Sequence, residues 1–389
     1  MMRAAAILAV VGSLTGCHVL FGLTPPGEDE QAALDASPAG DAARAPASPS
    51  LDGAAPPTCA DSDLRTSRAH CGECEHACED ACVDGMCEPH AVVTAPPGAE
   101  VRCIATAGAE LVYGVVTGDV LRPRNHDILR GRDGKVLMAS TPCEDIAPLG
   151  NFTLVMGETE LVKLDPRSGT TLSIAREAYP AFRGLSPQDG LVLWSTFSNF
   201  RRVRDTGADY RIGLDVPGAP SPTPLSAAVL IHPSGLYWGR GNELRRSPVS
   251  SVPELANGAL LMTGNAPGVS LASFGDDVIW LTSVAAFLVT KSGSVEPFFR
   301  PPTKRARAVR ATSTHAYFVE GEVGAVGRIW RVDRSGGSRL YADKVIVPPL
   351  RSDDYQGAPW DHYPWAMDDK FVYFPGGIAG ARSIVRIPL

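Results

Sequence analysis

An all-β fold, a β-propeller of seven blades with six or eight as alternatives, is what this sequence predicts. Three observations carry the prediction. From about residue 91 one pattern recurs: an aromatic, apolar strand, a gap, a strand ending in a glycine-bearing turn, then another apolar strand. Its anchors lie roughly forty residues apart, the period of a four-stranded unit. No stretch of ten or more residues carries a 3.6-residue apolar stripe, which removes helical repeats of similar period. The 39 glycines and 33 prolines among 389 residues fit many short elements joined by turns.

Ahead of the repeats come three other segments. Residues 1–16 read as a signal peptide, with Arg3 before an apolar run from Ala4 to Val11 and then small residues. Leu14-Thr15-Gly16-Cys17 resembles the bacterial lipobox, which implies that Cys17 is lipidated and holds the chain to a membrane without spanning it. His18 follows, where an aspartate would resemble an inner-membrane retention signal. The expected address is therefore the outer membrane, facing the periplasm or the cell surface. The segment 17–57 carries six carboxylates against Arg44, with seven prolines and ten alanines. It buries too little apolar area to offset chain entropy and reads as a disordered tether.

Residues 58–90 concentrate Cys59, Cys71, Cys74, Cys78, Cys82 and Cys87. An even count in an exported chain points to a small disulfide module, although sequence does not choose among the pairings. Zinc or iron–sulfur ligation by Cys71-x2-Cys74, with His70 and His76 alongside, is the rival reading. Export to an oxidising compartment and the lack of a second matching CxxC set it aside, so no metal and no cofactor is expected. On Cys71-Gly72-x-Cys74-x3-Cys78 and Cys82-x2-Gly85-x-Cys87, the stretch resembles the module of the stigma-specific protein family, seen also in lipoproteins of myxobacterial type. The resemblance implies an extracellular disulfide module with no known chemistry. This module and the tether are acidic, whereas residues 91–389 are slightly basic, with 32 basic against 29 acidic residues. The asymmetry reads as solubility of the stalk.

Within 91–389 the anchor strands are Glu110–Tyr113, Phe152–Val155, Leu191–Trp194, Leu236–Trp238, Val278–Trp280, Ala316–Phe318 and Phe371–Phe374. Gly-bearing turns follow the second strands, as in Asp165-Pro-Arg-Ser-Gly169 and Asp333-Arg-Ser-Gly-Gly337. A strand from Ala91 to Thr94 is expected to complete the last blade and close the ring. Cys103 and Cys143 fall at equivalent first-strand positions of neighbouring blades, where a bridge is plausible. The triplets Leu236-Tyr237-Trp238, Val278-Ile279-Trp280 and Val372-Tyr373-Phe374 resemble blades of the low-density-lipoprotein-receptor Tyr-Trp-Thr-Asp type. That resemblance implies the architecture and, by analogy, binding on a propeller face.

Chemistry-bearing motifs are sparse. Nucleophile elbows, HExxH, P-loops, dinucleotide fingerprints and calcium loops are all missing from the sequence. A net charge of −7 gives no reason to expect nucleic acid. Trp360, Asp361, His362, Tyr363 and Trp365 form an aromatic, polar-tipped stretch suited to a protein or glycan surface, or to a loop folding over the channel mouth. His126, His232 and His362, with Glu320 or Asp361, would have to converge in the channel for the rival reading, a metal-dependent lactonase-like hydrolase or lyase. The basic clusters Arg201-Arg202-x-Arg204 and Lys304-Arg305-x-Arg307-x2-Arg310 would meet anionic polymer or phosphate, or serve as solvated blade edges. The functional expectation is a membrane-anchored envelope lipoprotein that binds or scaffolds an envelope protein or glycan, without catalysis.

Overall fold

The structure, a computed structural model, describes residues 63–389 except 75, 118–125, 158, 177–182, 196–199, 213–224, 250–257, 303–304, 323–324, 347–362 and 379–380. Cys17, Cys59, Trp360, Asp361 and His362 therefore lie outside the described residues, as do the signal peptide and tether. Among the described residues every helix-or-strand element is a strand. A hairpin, β1 (Cys82–Val83) and β2 (Met86–Cys87), precedes β3 (His90–Thr94). Blade 1 holds β4 (Ala99–Ala107), β5 (Glu110–Thr117), β6 (His126–Arg130) and β7 (Val136–Met138). Blade 2 holds β8 (Asp145–Leu149), β9 (Phe152–Met156), β10 (Glu160–Leu164) and β11 (Thr171–Arg176). Blade 3 holds β12 (Arg183–Gln188), β13 (Leu191–Ser195), β14 (Phe200–Arg204) and β15 (Arg211–Ile212). Blade 4 holds β16 (Leu225–His232), β17 (Gly235–Arg240), β18 (Glu243–Ser247) and β19 (Ala259–Thr263). Blade 5 holds β20 (Gly268–Phe274), β21 (Asp277–Thr282), β22 (Ala286–Val289) and β23 (Val295–Phe299). Blade 6 holds β24 (Ala306–Ala311), β25 (His315–Glu320), β26 (Val326–Asp333) and β27 (Ser338–Ile346). Blade 7 holds β28 (Ala366–Met367), β29 (Phe371–Ile378) and β30 (Ala381–Pro388), with β3 as its outer strand.

Blades 1 to 6 are antiparallel sheets in chain order and blade 7 runs β28-β29-β30-β3, and it is the first strands that meet from blade to blade, innermost in the ring. Blades 6 and 7 touch through one pairing, Val345 with Gly376. The turns after the third strands form as their residues dictate. Asp165 accepts the Arg167 amide at 2.8 Å and Asp333 that of Ser335 at 2.8 Å, and Gly169 (φ +82°) and Gly336 (φ +85°) take the left-handed conformation.

The core is divided into seven apolar clusters, one at each junction between neighbouring blades. Trp194 fills the junction of blades 2 and 3, Trp238 that of 3 and 4, Trp280 that of 4 and 5, and Phe318 that of 5 and 6. Ile128 and Val155 pack between blades 1 and 2, Phe374 between 6 and 7, and Tyr373 between 7 and 1. A fully buried large side chain contributes about 1.5–3 kcal/mol. Even the junction of blades 4 and 5, with five buried residues, thus contributes on the order of 10 kcal/mol. No blade has an apolar face satisfied by itself, so stability belongs to the ring.

The ring closes where the sequence places a strand. β3 pairs with β30, Ala91 opposite Val385 and Thr94 opposite Ser383. The last blade is thereby built from both ends of the described chain, with β3 covering β30 and forming the outer edge itself.

Candidate functional site

The cysteine module is stapled and docked. Cys71 bonds Cys82, Cys78 bonds Cys87, and Cys74 is disulfide-bonded as well. The sulfurs of Cys71, Cys78 and Cys82 lie within 4.8 Å of one another, but as disulfides they are not thiolate ligands. Gly72 and Gly85, two residues that carry the family resemblance, both have positive φ and pack against each other. A Cβ on Gly72 would clash with the Gly85 carbonyl oxygen.

Four buried cystine halves of the module join Tyr317, Tyr341, Trp365 and Phe374 in the junction of blades 6 and 7. Acids of the module meet arginines of the outer strands. Glu73 accepts a two-pronged pair of bonds from Arg331 and a third from Arg339 at 3.1 Å. Glu79 accepts from the Arg386 Nε at 2.7 Å and from its Nη2. The charge asymmetry of the chain therefore does more than keep a stalk soluble: part of it fastens module to ring. The Arg331 side chain is 8% exposed and Glu73 37%, so losing Glu73 would cost about 1–3 kcal/mol, less than for a fully buried pair.

This interface also perturbs its titratable groups. Burial, reinforced by Arg339, pushes the His76 imidazole down to about 4. The ring lies 6.0 Å from that of Tyr341, with Nε2 3.4 Å from the Cys87 sulfur. Burial drives the Tyr317 hydroxyl up to about 12 and Tyr341 well above its ordinary value. For Glu73 burial acts upward, but Arg331 and Arg339 prevail and hold it below the usual carboxylate range. His76 is neutral at physiological pH, a packing residue rather than an acid or base.

The remaining sequence candidates divide. Cys103 on β4 is bonded to Cys143, just ahead of β8, and both are buried between blades 1 and 2. Of the two readings of the aromatic stretch, Tyr363 and Trp365 follow the one in which it folds back and buries its own rings: they are 6% and 2% exposed. The Tyr363 hydroxyl donates to the Ile346 carbonyl at 3.0 Å, and the two rings meet edge to face at 6.1 Å. They lead into β28, an inner strand of only two residues, and the junction that this short strand leaves open is filled by their rings.

The histidine–carboxylate set does not assemble among the described residues. His232 is 2% exposed at the end of β16, where its Nε2 donates to the Gly275 carbonyl at 3.1 Å and its Nδ1 accepts the Ser234 amide at 3.2 Å. It ties blade 4 to the hairpin of blade 5. Glu320 is buried at the end of β25, which runs the other way, and accepts the Trp330 indole N–H at 2.7 Å. The two therefore sit toward opposite faces of the ring. His126 opens β6, a third strand set back from the axis, and its side chain lies outside the described residues.

In the basic clusters, Arg202 pairs with Asp209 at 3.1 Å on β14. Arg307 and Arg310 do lie on an edge strand, since β24 is the inner edge of blade 6, but Arg307 is buried there and not solvated. Arg307 donates to the Gly321 carbonyl at 3.0 Å and faces Glu322 at 3.7 Å. Sequence alone missed the docking arginines Arg331, Arg339 and Arg386. The one available signal for them was the opposite charge of module and head.

No family model matches this chain, and no curated protein sequence matches it. Solved structures do. U3-55K aligns at a TM-score of 0.52 with 12% identity, over 78% of this chain and 100% of its own. The WD40 repeats of RRP9 align at 0.51 with 11% identity, over 78% and 100%. A chain of the mitotic checkpoint complex aligns at 0.52 with 11% identity, over 76% and 95%. At such identities the likeness is one of fold: this chain is a disulfide-bearing, seven-bladed β-propeller.

Proposed function

We propose that this chain is a lipid-anchored protein of the bacterial outer membrane whose propeller binds or scaffolds an envelope protein or glycan without catalysing a reaction on it. The observation that carries the reading is the docked module. Glu73 and Glu79 fasten it to arginines of blades 6 and 7, and β3, which follows it, is itself a strand of the ring. An anchor at Cys17 would then act, through the 17–57 tether, on one fixed point of the propeller. That arrangement suits a display scaffold, which must present one face in a defined way. The proposed contact residues are Trp360, Asp361 and His362, in the connection between β27 and β28.

Two arms test the reading in the native host. Palmitate labelling and membrane fractionation of wild type and Cys17→Ser test the anchor. Label and outer-membrane residence in wild type, both lost in the variant, are expected; an unlabelled wild type overturns the anchor. In-cell crosslinking of wild type and a Trp360→Ala/His362→Ala variant tests the binding role. One recurrent envelope partner lost in the variant is expected, and identical capture by both overturns the assigned surface.

A further inference from the structure

We propose that the axial channel of the propeller holds an anion-binding site centred on Arg310, for a small oxyanion of the carboxylate or hydrogen phosphate class. Arg310 lies on β24, opposite Tyr317. Counting back from the hairpin that ends the inner strand of each blade, the residues level with it are Ala105, Ala147, Ser186, Leu230, Ala272 and Ala366. Five of these six are alanine or serine. Side chains so small let neighbouring inner strands run close together. The Ser186 hydroxyl, for example, accepts the Ile231 amide of the next blade at 2.9 Å. A guanidinium has no room in a gap of that width, so the register argues for an Arg310 side chain directed toward the axis, where it is only partly buried.

Electrostatics places it there independently. Among the described residues, the carboxylate that acts on Arg310 is Asp145, on the inner strand of blade 2, across the ring from blade 6. Two side chains from those blades sense each other only through the channel. Asp145 is nevertheless not an ion-pair partner: among the described residues Arg310 has no hydrogen bond and no carboxylate within 4.0 Å. Its neighbours differ. Arg102 has Glu100 at 3.4 Å, and Arg307 is held by Gly321 and Glu322.

Arg310 is thus a partly accessible cation whose guanidinium is stripped of much of its water, with no partner in contact. Burial works against its charge, and an anion in the channel would restore what burial removes. The planar fork of N–H donors fits a carboxylate or phosphate edge. Asp145 opposite limits the charge the site tolerates, which favours a singly charged group over a polyanion.

The test uses the purified full chain at fixed pH and ionic strength, with chloride replaced stepwise by acetate, phosphate or sulfate. Melting temperature is followed for wild type, Arg310→Met and Arg310→Lys. For wild type we expect a saturable rise of several degrees with at least one oxyanion. Arg310→Met should lose that response while melting no lower than wild type in oxyanion-free buffer, since it removes an uncompensated charge. Arg310→Lys keeps the charge but not the fork, and should respond with a severalfold weaker half-saturation. A wild type without a saturable response overturns the site. So does an equal response in Arg310→Met, or an Arg310→Met variant that melts well below wild type before any oxyanion is added.

Discussion

Replacing Cys103 and Cys143 by alanine removes the covalent link between blades 1 and 2 and leaves every other disulfide intact. The bridge spans 40 residues of sequence. Restricting an unfolded chain over such a loop is worth about 4 kcal/mol at 25 °C in the loop-entropy account. For a chain of this size 1 kcal/mol moves the melting temperature by about 2–4 °C, so a fall of roughly 10 °C is expected. Local packing adds a check. Gly114 on β5 faces the bridge, and a Cβ there would come 2.6 Å from the Cys103 sulfur and 3.1 Å from the Cys143 Cβ. With the Cys103 sulfur gone the closest clash disappears, so Gly114→Ala should be tolerated better in the double variant than in wild type, although the Cβ at position 143 and Ile128 at 3.3 Å still crowd it. The measurement is a thermal melt by circular dichroism of wild type, double and triple variants, without reductant because reductant would also open the cysteine module. A double variant melting within about 2 °C of wild type would show that blades 1 and 2 are held by their apolar junction alone and refute the reasoning.

Two further outcomes follow from the docked module and its junction. His76 has a folded-state value of about 4 against an ordinary 6.5, so between those values the unfolded chain takes up a proton that the folded chain refuses. Stability should be full above pH 6.5, fall by about 3 kcal/mol as pH drops to 4, and lose nothing more from this residue below that. Urea midpoints across pH 4–7 should show that limb in wild type and a flatter one in His76→Gln; equal slopes would count against His76 as its source. Trp365→Ala should cost about 3–5 kcal/mol by opening a cavity between blades 6 and 7. Its melting temperature should drop while crosslinked partners per folded molecule stay unchanged, and a lost partner with unchanged stability would contradict the burial.

The blades were legible because their evidence is local. Leu191–Trp194 and Val278–Trp280 are apolar runs too short for helices, and the Asp-to-Gly turns between strands permit little else. Residues 91–94 could be read as the closing strand because a ring with one strand missing needs it. What escaped detection depends on distance across the ring. Whether Tyr363 and Trp365 belong to a binding surface or to a loop folded back on itself is undecided until β28 is known to be two residues long. A lone histidine such as His232 does not announce that its partners are the backbone of the next blade. The pairing of Glu73 with Arg331 joins residues more than 250 positions apart. Arg307 and Arg310 did carry a local signal, since they alternate with Ala306, Ala308 and Ala311, and small residues mark a strand that runs beside its neighbours.

The pairing of β3 with β30 also fixes an order of events during synthesis. Thr94 and Ser383 are roughly 290 residues apart. At about 5–20 residues per second, β3 waits some 15–60 s for the strand it will cover. Over that interval six blades can form one after another while β3 stays an unpaired edge and blade 7 does not yet exist. The growing chain passes through an open arc with two exposed strand edges. The pairing of β3 with β30 is the step that closes this arc into a ring.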